Sequence, residues 1–95
     1  MDYKELFESK GFEVFVDFDE IDQEEFFRLH YKGREVGFTE INQVTGKLEI
    51  ITESPEDHKI VTKLMKGEDI VIWAWYDSAN VLKRYDNKGQ DIILN

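Results

Sequence analysis

The run Glu68 to Tyr85, EDIVIWAWYDSANVLKRY, limits the folds open to this chain more than any other stretch. It is the most apolar run and contains both tryptophans. On an extended strand, Ile70, Ile72, Ala74 and Tyr76 point to one face and Val71, Trp73 and Trp75 to the other. Both faces are apolar. This predicts a central strand covered on two sides, or covered on one side with the other offered to a partner. Asp77-Ser78-Ala79-Asn80 reads as a turn, with Val81 to Tyr85 returning as the paired strand. The remaining segments are read as built onto this hairpin.

Alternation and capping signals place those segments. Asp2 to Lys10 reads as a short amphipathic helix, with Asp2 and Glu5 spaced as a capping box, Tyr3, Leu6 and Phe7 as the apolar stripe and Gly11 as the stop. Phe12 to Asp19 alternates between Phe12, Val14, Val16, Phe18 and Glu13, Phe15, Asp17, Asp19, the pattern of a half-buried strand. Glu25 to Lys32 alternates again. Lys32-Gly33-Arg34 is a tight turn into Glu35 to Asn42, where Gly37 marks a candidate bulge. Lys47 to Thr52 is a fourth strand. Ser54-Pro55-Glu56-Asp57 opens a second helix, with a serine cap, proline in the first turn and two acids at the positive end of the dipole. Its stripe is Ile60, Val61, Leu64 and Met65, and Lys66-Gly67 ends it. Asp86-Asn87-Lys88-Gly89 turns into a last strand, Asp91 to Leu94. The predicted order is α-β-β-β-β-α-β-β-β. It corresponds to a single α+β domain over residues 1–95, with a curved antiparallel sheet of about six or seven strands and two helices.

Charge separates the function classes. Of 21 acids and 12 bases, ten acids and two bases fall within residues 1–25, so the first quarter carries nearly the whole net charge of −9. Such a balance disfavours direct binding to nucleic acid or an anionic membrane and favours a basic protein partner. There is no cysteine, which excludes disulfides, thiol catalysis and thiolate metal sites. The N-terminus lacks a basic region followed by an apolar one, and no segment approaches the ~20 apolar residues of a membrane span. The expectation is a soluble protein of the cytoplasm.

Asp17-Phe18-Asp19-Glu20-Ile21-Asp22-Gln23-Glu24-Glu25 has six carboxylates in nine positions. As a calcium loop starting at Asp17 it fails, with Ile21 at the fifth position, Asp22 where glycine is required and Arg28 in place of the last glutamate. It can be a solvated loop or a docking surface for a basic partner. Same-face residues on a strand lie ~6.6–6.8 Å apart, close to successive phosphates along one nucleic-acid strand. The row Glu13, Asp17, Asp19 and the loop Glu20, Asp22, Glu24, Glu25 are therefore the candidate partner-binding residues, positioned to mimic nucleic acid toward a protein that handles it. Arg28, His30 and Lys32 form the only compact basic stripe. They are expected to pair with the neighbouring acidic strand and partly neutralise it.

The other chemical signals are weak. Trp73 and Trp75 share a strand face and read as core under a helix. His30 and His58 lack a partner at metal-ligand spacing. Gly46-Lys47 is followed by Leu48 where a phosphate loop needs Ser or Thr, and Ser9, Ser54 and Ser78 have no adjacent base. Carboxylates crowded in a wet loop do not have the apolar surroundings that separate two pKa values for acid–base work. No catalytic residue, cofactor or metal is expected. Small acidic proteins of phages and mobile elements, including anti-defence proteins and immunity proteins against secreted toxins, share this size and charge. The likeness is one of composition alone, and no motif identifies a family. The expected role is a non-catalytic inhibitor or neutraliser of a basic protein. A homo-oligomeric accessory protein and a small-ligand binding module are the alternatives.

Overall fold

The computed structural model describes residues 2–76, 81–85 and 91–92. The elements are α1 (Tyr3–Ser9), β1 (Glu13–Asp19), β2 (Glu24–Tyr31), β3 (Arg34–Ile41), β4 (Leu48–Thr52), α2 (Pro55–Leu64), β5 (Val71–Tyr76), β6 (Val81–Tyr85) and β7 (Asp91–Ile92). The class is α+β with two helices. The proposed turns at Asp77–Asn80 and Asp86–Gly89, and the end of the last strand, lie outside the described residues.

Local chemistry sets both helix starts. The Asp2 carboxylate accepts from the Glu5 amide at 2.8 Å, and Ser54 Oγ accepts from the Asp57 amide at 3.1 Å. Gly11 and Gly67, at φ 102° and 91°, follow the two helices in the left-handed region that glycine enters without a Cβ clash. Lys32 and Gly33, at φ 50° and 84°, form the two-residue link between β2 and β3, where two positive φ values match the twist of a hairpin. Lys32 is thus a turn residue and does not extend the Arg28–His30 stripe. Its ammonium lies 5.4 Å from the centroid of the Tyr31 ring.

Strand order follows chain order from β1 to β7. Strands β1 to β4 form an antiparallel meander, but β5 pairs parallel to β4 in the register Glu49↔Val71 to Thr52↔Ala74. The expected antiparallel sheet is therefore corrected to a mixed one. The intervening α2 carries the chain back along the sheet, so β5 starts at the same end as β4. The sheet is also open and uncurled rather than curved. Strand β6 pairs antiparallel with β5, in keeping with the sequence reading of a central hairpin.

Both helices cover one face. Their side chains and that face form the core of Phe7, Phe12, Leu29, Val36, Ile50, Val61, Met65, Ile70 and Ile72. Between β2 and β3 the register shifts from Leu29↔Gly37 to His30↔Glu35, leaving Val36 as the extra, buried residue of a bulge. Gly37 is tightly placed next to it: a Cβ there would lie 3.0 Å from the Ile51 carbonyl oxygen.

Among the described residues the opposite face has no helix. Pairing places Phe15, Arg28, Phe38, Ile51 and Trp73 on it. Trp73 is half-buried there, whereas its neighbours Ile72 and Ala74 are buried on the helix side. The expectation that the tryptophan face is core under a helix is overturned for Trp73. The Trp75 side chain lies outside the described set. Helix cover also stops short of one edge: beyond half-buried Val14, Val16 and Phe18 of β1 are 50% and 49% exposed. The half-buried face predicted for Phe12–Asp19 is covered only at its start.

Candidate functional site: an acidic cleft between two parting strands

The β2–β3 pairing runs from Tyr31↔Arg34 to Arg28↔Phe38. One residue further on, the Phe27 amide donates to Thr39 Oγ1 at 2.9 Å, so a side chain takes the place of a main-chain acceptor. Beyond this point the two strands part. The opening is a cleft of about 140 Å³ whose lining includes Asp19, Asp22, Glu24, Glu25 and Glu40 together with Phe26, Phe38, Ile41 and Leu48. The Phe26 and Phe38 rings meet edge to face with centroids 6.3 Å apart. The mouth is thus acidic and part of the wall is aromatic.

Four of the seven sequence-selected residues, Asp19, Asp22, Glu24 and Glu25, line this cleft. Asp19 is partly used by the chain itself: its Oδ1 accepts from the amides of Ile21 and Asp22 at 2.9 and 3.3 Å and so shapes the β1–β2 turn. Gln23, at φ 58°, donates through Nε2 to the Glu20 carbonyl at 2.7 Å and closes the same turn. Glu20 is exposed and lies away from the cleft lining. Glu13 and Asp17 also lie away from it, on the helix-free face of β1.

Asp17 is not an unpaired charge. Arg28 Nε donates to its Oδ2 at 2.8 Å, and Arg28 Nη1 donates to Glu35 Oε1 at 3.0 Å. This cross-strand pair bears out the expected neutralisation by β2, with Arg28 as its agent. His30 instead packs its ring edge against Phe15, centroids 4.6 Å apart. The Arg28 guanidinium also sits 5.0 Å from the Phe26 centroid. The row Glu13, Asp17, Asp19 is therefore interrupted as a run of phosphate-like charges. Among the described residues, Asp22, Glu24, Glu25 and Glu40 have no cationic partner.

The Arg28 hydrogen bond, with a second from the Phe18 amide, holds the Asp17 carboxyl below the usual carboxylate range. Its folded pKa is lower than its unfolded one. The associated stability is present above the ordinary carboxylate pKa and is lost as pH falls through the lower folded value. In Arg28→Met, the Asp17 carboxyl should titrate closer to the usual range. Carboxyl-carbon NMR titration of both proteins checks this, and an unchanged midpoint would show that the pair does not persist in solution.

Glu40 lies outside the acidic run Asp17–Glu25, in a strand of mixed polarity, and carries no signal of its own in the sequence. Only the splaying of β2 from β3 brings it to the acidic turn. A second cleft, of about 300 Å³, lies on the other side of Glu40 and Ile41 and is lined also by Asn42, Glu49, Ile51 and Trp73. There Glu49, 4% exposed, accepts through Oε1 from the Trp73 indole at 2.7 Å and from Asn42 Nδ2 at 3.2 Å.

His58 lies within 3.5 Å of Thr52 Oγ1 and 3.3 Å of Thr62 Oγ1, bracing α2 against β4. Arg34 Nη1 is 2.6 Å from Asp57 Oδ1 and ties the start of β3 to α2. Among the described residues no group of three or more His, Asp or Glu side chains is placed to hold a metal ion, and no helix is long and apolar enough to cross a membrane. No protein-family model, curated protein or solved structure matches the chain.

Proposed function

We propose that this protein is a non-catalytic interaction module of the cytoplasm that binds a basic protein and acts as its inhibitor or neutraliser, with nucleic-acid-handling proteins as the partner class. The observation that supports this best is the cleft lined by Asp22, Glu24, Glu25 and Glu40 beside Phe26 and Phe38, where these four carboxylates have no cationic partner among the described residues. A lysine or arginine side chain has matching parts. Its methylene stem can lie along the phenyl rings while its charge meets the carboxylates. The stacking of Arg28 near Phe26 is an intramolecular instance of the same contact. The uneven charge adds steering toward a cationic surface, strongest at low salt.

The test is affinity capture from source lysate at low and high salt, using the wild type and the triple variant Glu24→Gln, Glu25→Gln, Glu40→Gln. The expected result is one basic protein retained at low salt and released at high salt. The triple variant should bind it at least about ten-fold more weakly while keeping the wild-type circular dichroism spectrum. Equal capture by both proteins would remove the cleft from the interface. A second reading, self-association, is supported by the aromatic helix-free face carrying Phe38, Ile51 and Trp73. Recovery of the protein alone, with a concentration-dependent mass in sedimentation, would favour it.

A further inference from the structure

Among the described residues, strand β1 forms one edge of the sheet and pairs with β2 alone. Sheet edges are usually protected by charged side chains, proline, a bulge or a very short strand. Over its seven residues, Glu13–Asp19, β1 has no proline and no bulge, and its register with β2 is unbroken. Its charged residues, Glu13, Asp17 and Asp19, are all acidic, which guards the edge against an acidic strand and not against a basic one. It also exposes Phe15, Val16 and Phe18 by 46%, 50% and 49%, apolar surface on both faces of the strand. A second copy is a poor occupant. Two-fold antiparallel pairing centred on Phe15 sets Glu13 opposite Asp17, centring on Val16 sets Glu13 opposite Asp19, and centring on Asp17 sets that residue opposite itself. Directly opposed like charges destabilise a sheet.

We infer that the β1 edge takes an extended segment of the basic partner as an added strand, with Lys or Arg at alternate positions beside Glu13, Asp17 and Asp19 and apolar residues between them beside Val14, Val16 and Phe18. The inference rests on the basic-partner reading and extends it. Main-chain hydrogen bonds supply the affinity, and alternate side chains supply the selectivity. One face carries Glu13, Asp17 and Asp19 with Phe15 among them and the other carries only Val14, Val16 and Phe18. This fixes which face of the segment is basic, since a one-residue slip would set every lysine against the wholly apolar face. Partial neutralisation of Asp17 by Arg28 leaves Glu13 as the exposed, unpaired charge of the row among the described residues.

The probe is a seven-residue peptide of alternating lysine and valine, compared with the same sequence N-methylated throughout, which keeps the charge but cannot donate main-chain hydrogen bonds. Binding is measured by calorimetry and by protection of β1 amides from hydrogen exchange. The expected result is binding of the first peptide with new protection within Glu13–Asp19, and at least ten-fold weaker binding of the methylated peptide. Equal binding of both peptides, lost in the cleft triple variant, would overturn strand addition while leaving the basic-partner reading intact. Failure of both peptides, together with capture of no basic protein, would overturn both.

Discussion

Phe7→Ala is expected to lower the unfolding free energy by about 3–5 kcal/mol, the usual cost of emptying a buried aromatic site. Phe7 is fully buried. Its ring meets Phe12 and Phe27 edge to face at 6.4 and 6.1 Å and stacks on Tyr3 at 6.1 Å. Helix α1 has seven residues, too few to be stable without tertiary contacts. Loss of this ring removes its main anchor and weakens the cover over Leu29 and Val14. Against a total of ~5–15 kcal/mol for a domain of this kind, the loss is large. Urea unfolding followed by circular dichroism measures it. A change below ~1 kcal/mol would mean that α1 contributes little to the core, contrary to its packing.

Glu49→Ala is expected to cost about 2–3 kcal/mol, because it removes a charged acceptor and leaves a partly buried donor without that bond. Glu49 lies on the helix-free face, yet is nearly as buried as the apolar core. Its carboxylate joins Trp73 on β5 to Asn42 at the end of β3, across the strand that carries Glu49 itself. Asn42 in turn shapes the following loop, accepting through Oδ1 from the amides of Val44 and Thr45 at 2.9 and 3.1 Å. Substitution should therefore loosen that loop as well as Trp73. Glu49→Gln retains an acceptor oxygen and should recover most of the lost stability. The two variants are compared by denaturation and by the proton shift of the Trp73 indole N–H, which should move upfield in Glu49→Ala. An unmoved indole signal would refute the bridge.

The parts of the fold visible in the sequence are those decided by near neighbours. The Asp2 and Ser54 caps, the Lys32-Gly33 link and the alternation of β1 and β2 depend on contacts within a few residues or across a short hairpin. Parallel pairing of β4 with β5 depends on which strand edge the chain meets after α2, and periodicity is silent on that. The same limit explains the Trp73 face. Its apolar residues suit helix cover or partner cover equally, and only the placement of α2 on the Ile72 and Ala74 side decides between them.

The site was legible to a similar degree. The acidic segment stands out in the composition, and the complementarity of Asp17 with Arg28 follows from two adjacent strands. Glu40 could not be identified because its membership of the cleft depends on the splaying of β2 from β3. Asp19 looked like a free charge but serves the turn, the common use of an aspartate just before a loop.

The parallel β4–β5 seam has a consequence for the order in which the protein can be completed. On a ribosome, a nascent chain that has emerged through Thr52 already contains the whole β1–β4 meander. It does not yet contain Val61, Met65, Ile70 or Ile72, nearly half of the core. Until α2 and β5 emerge, Ile50 has no helix above it and β4 has a free edge. The early part of this protein is thus a sheet with only α1 as cover, and the residues after Thr52 complete the core.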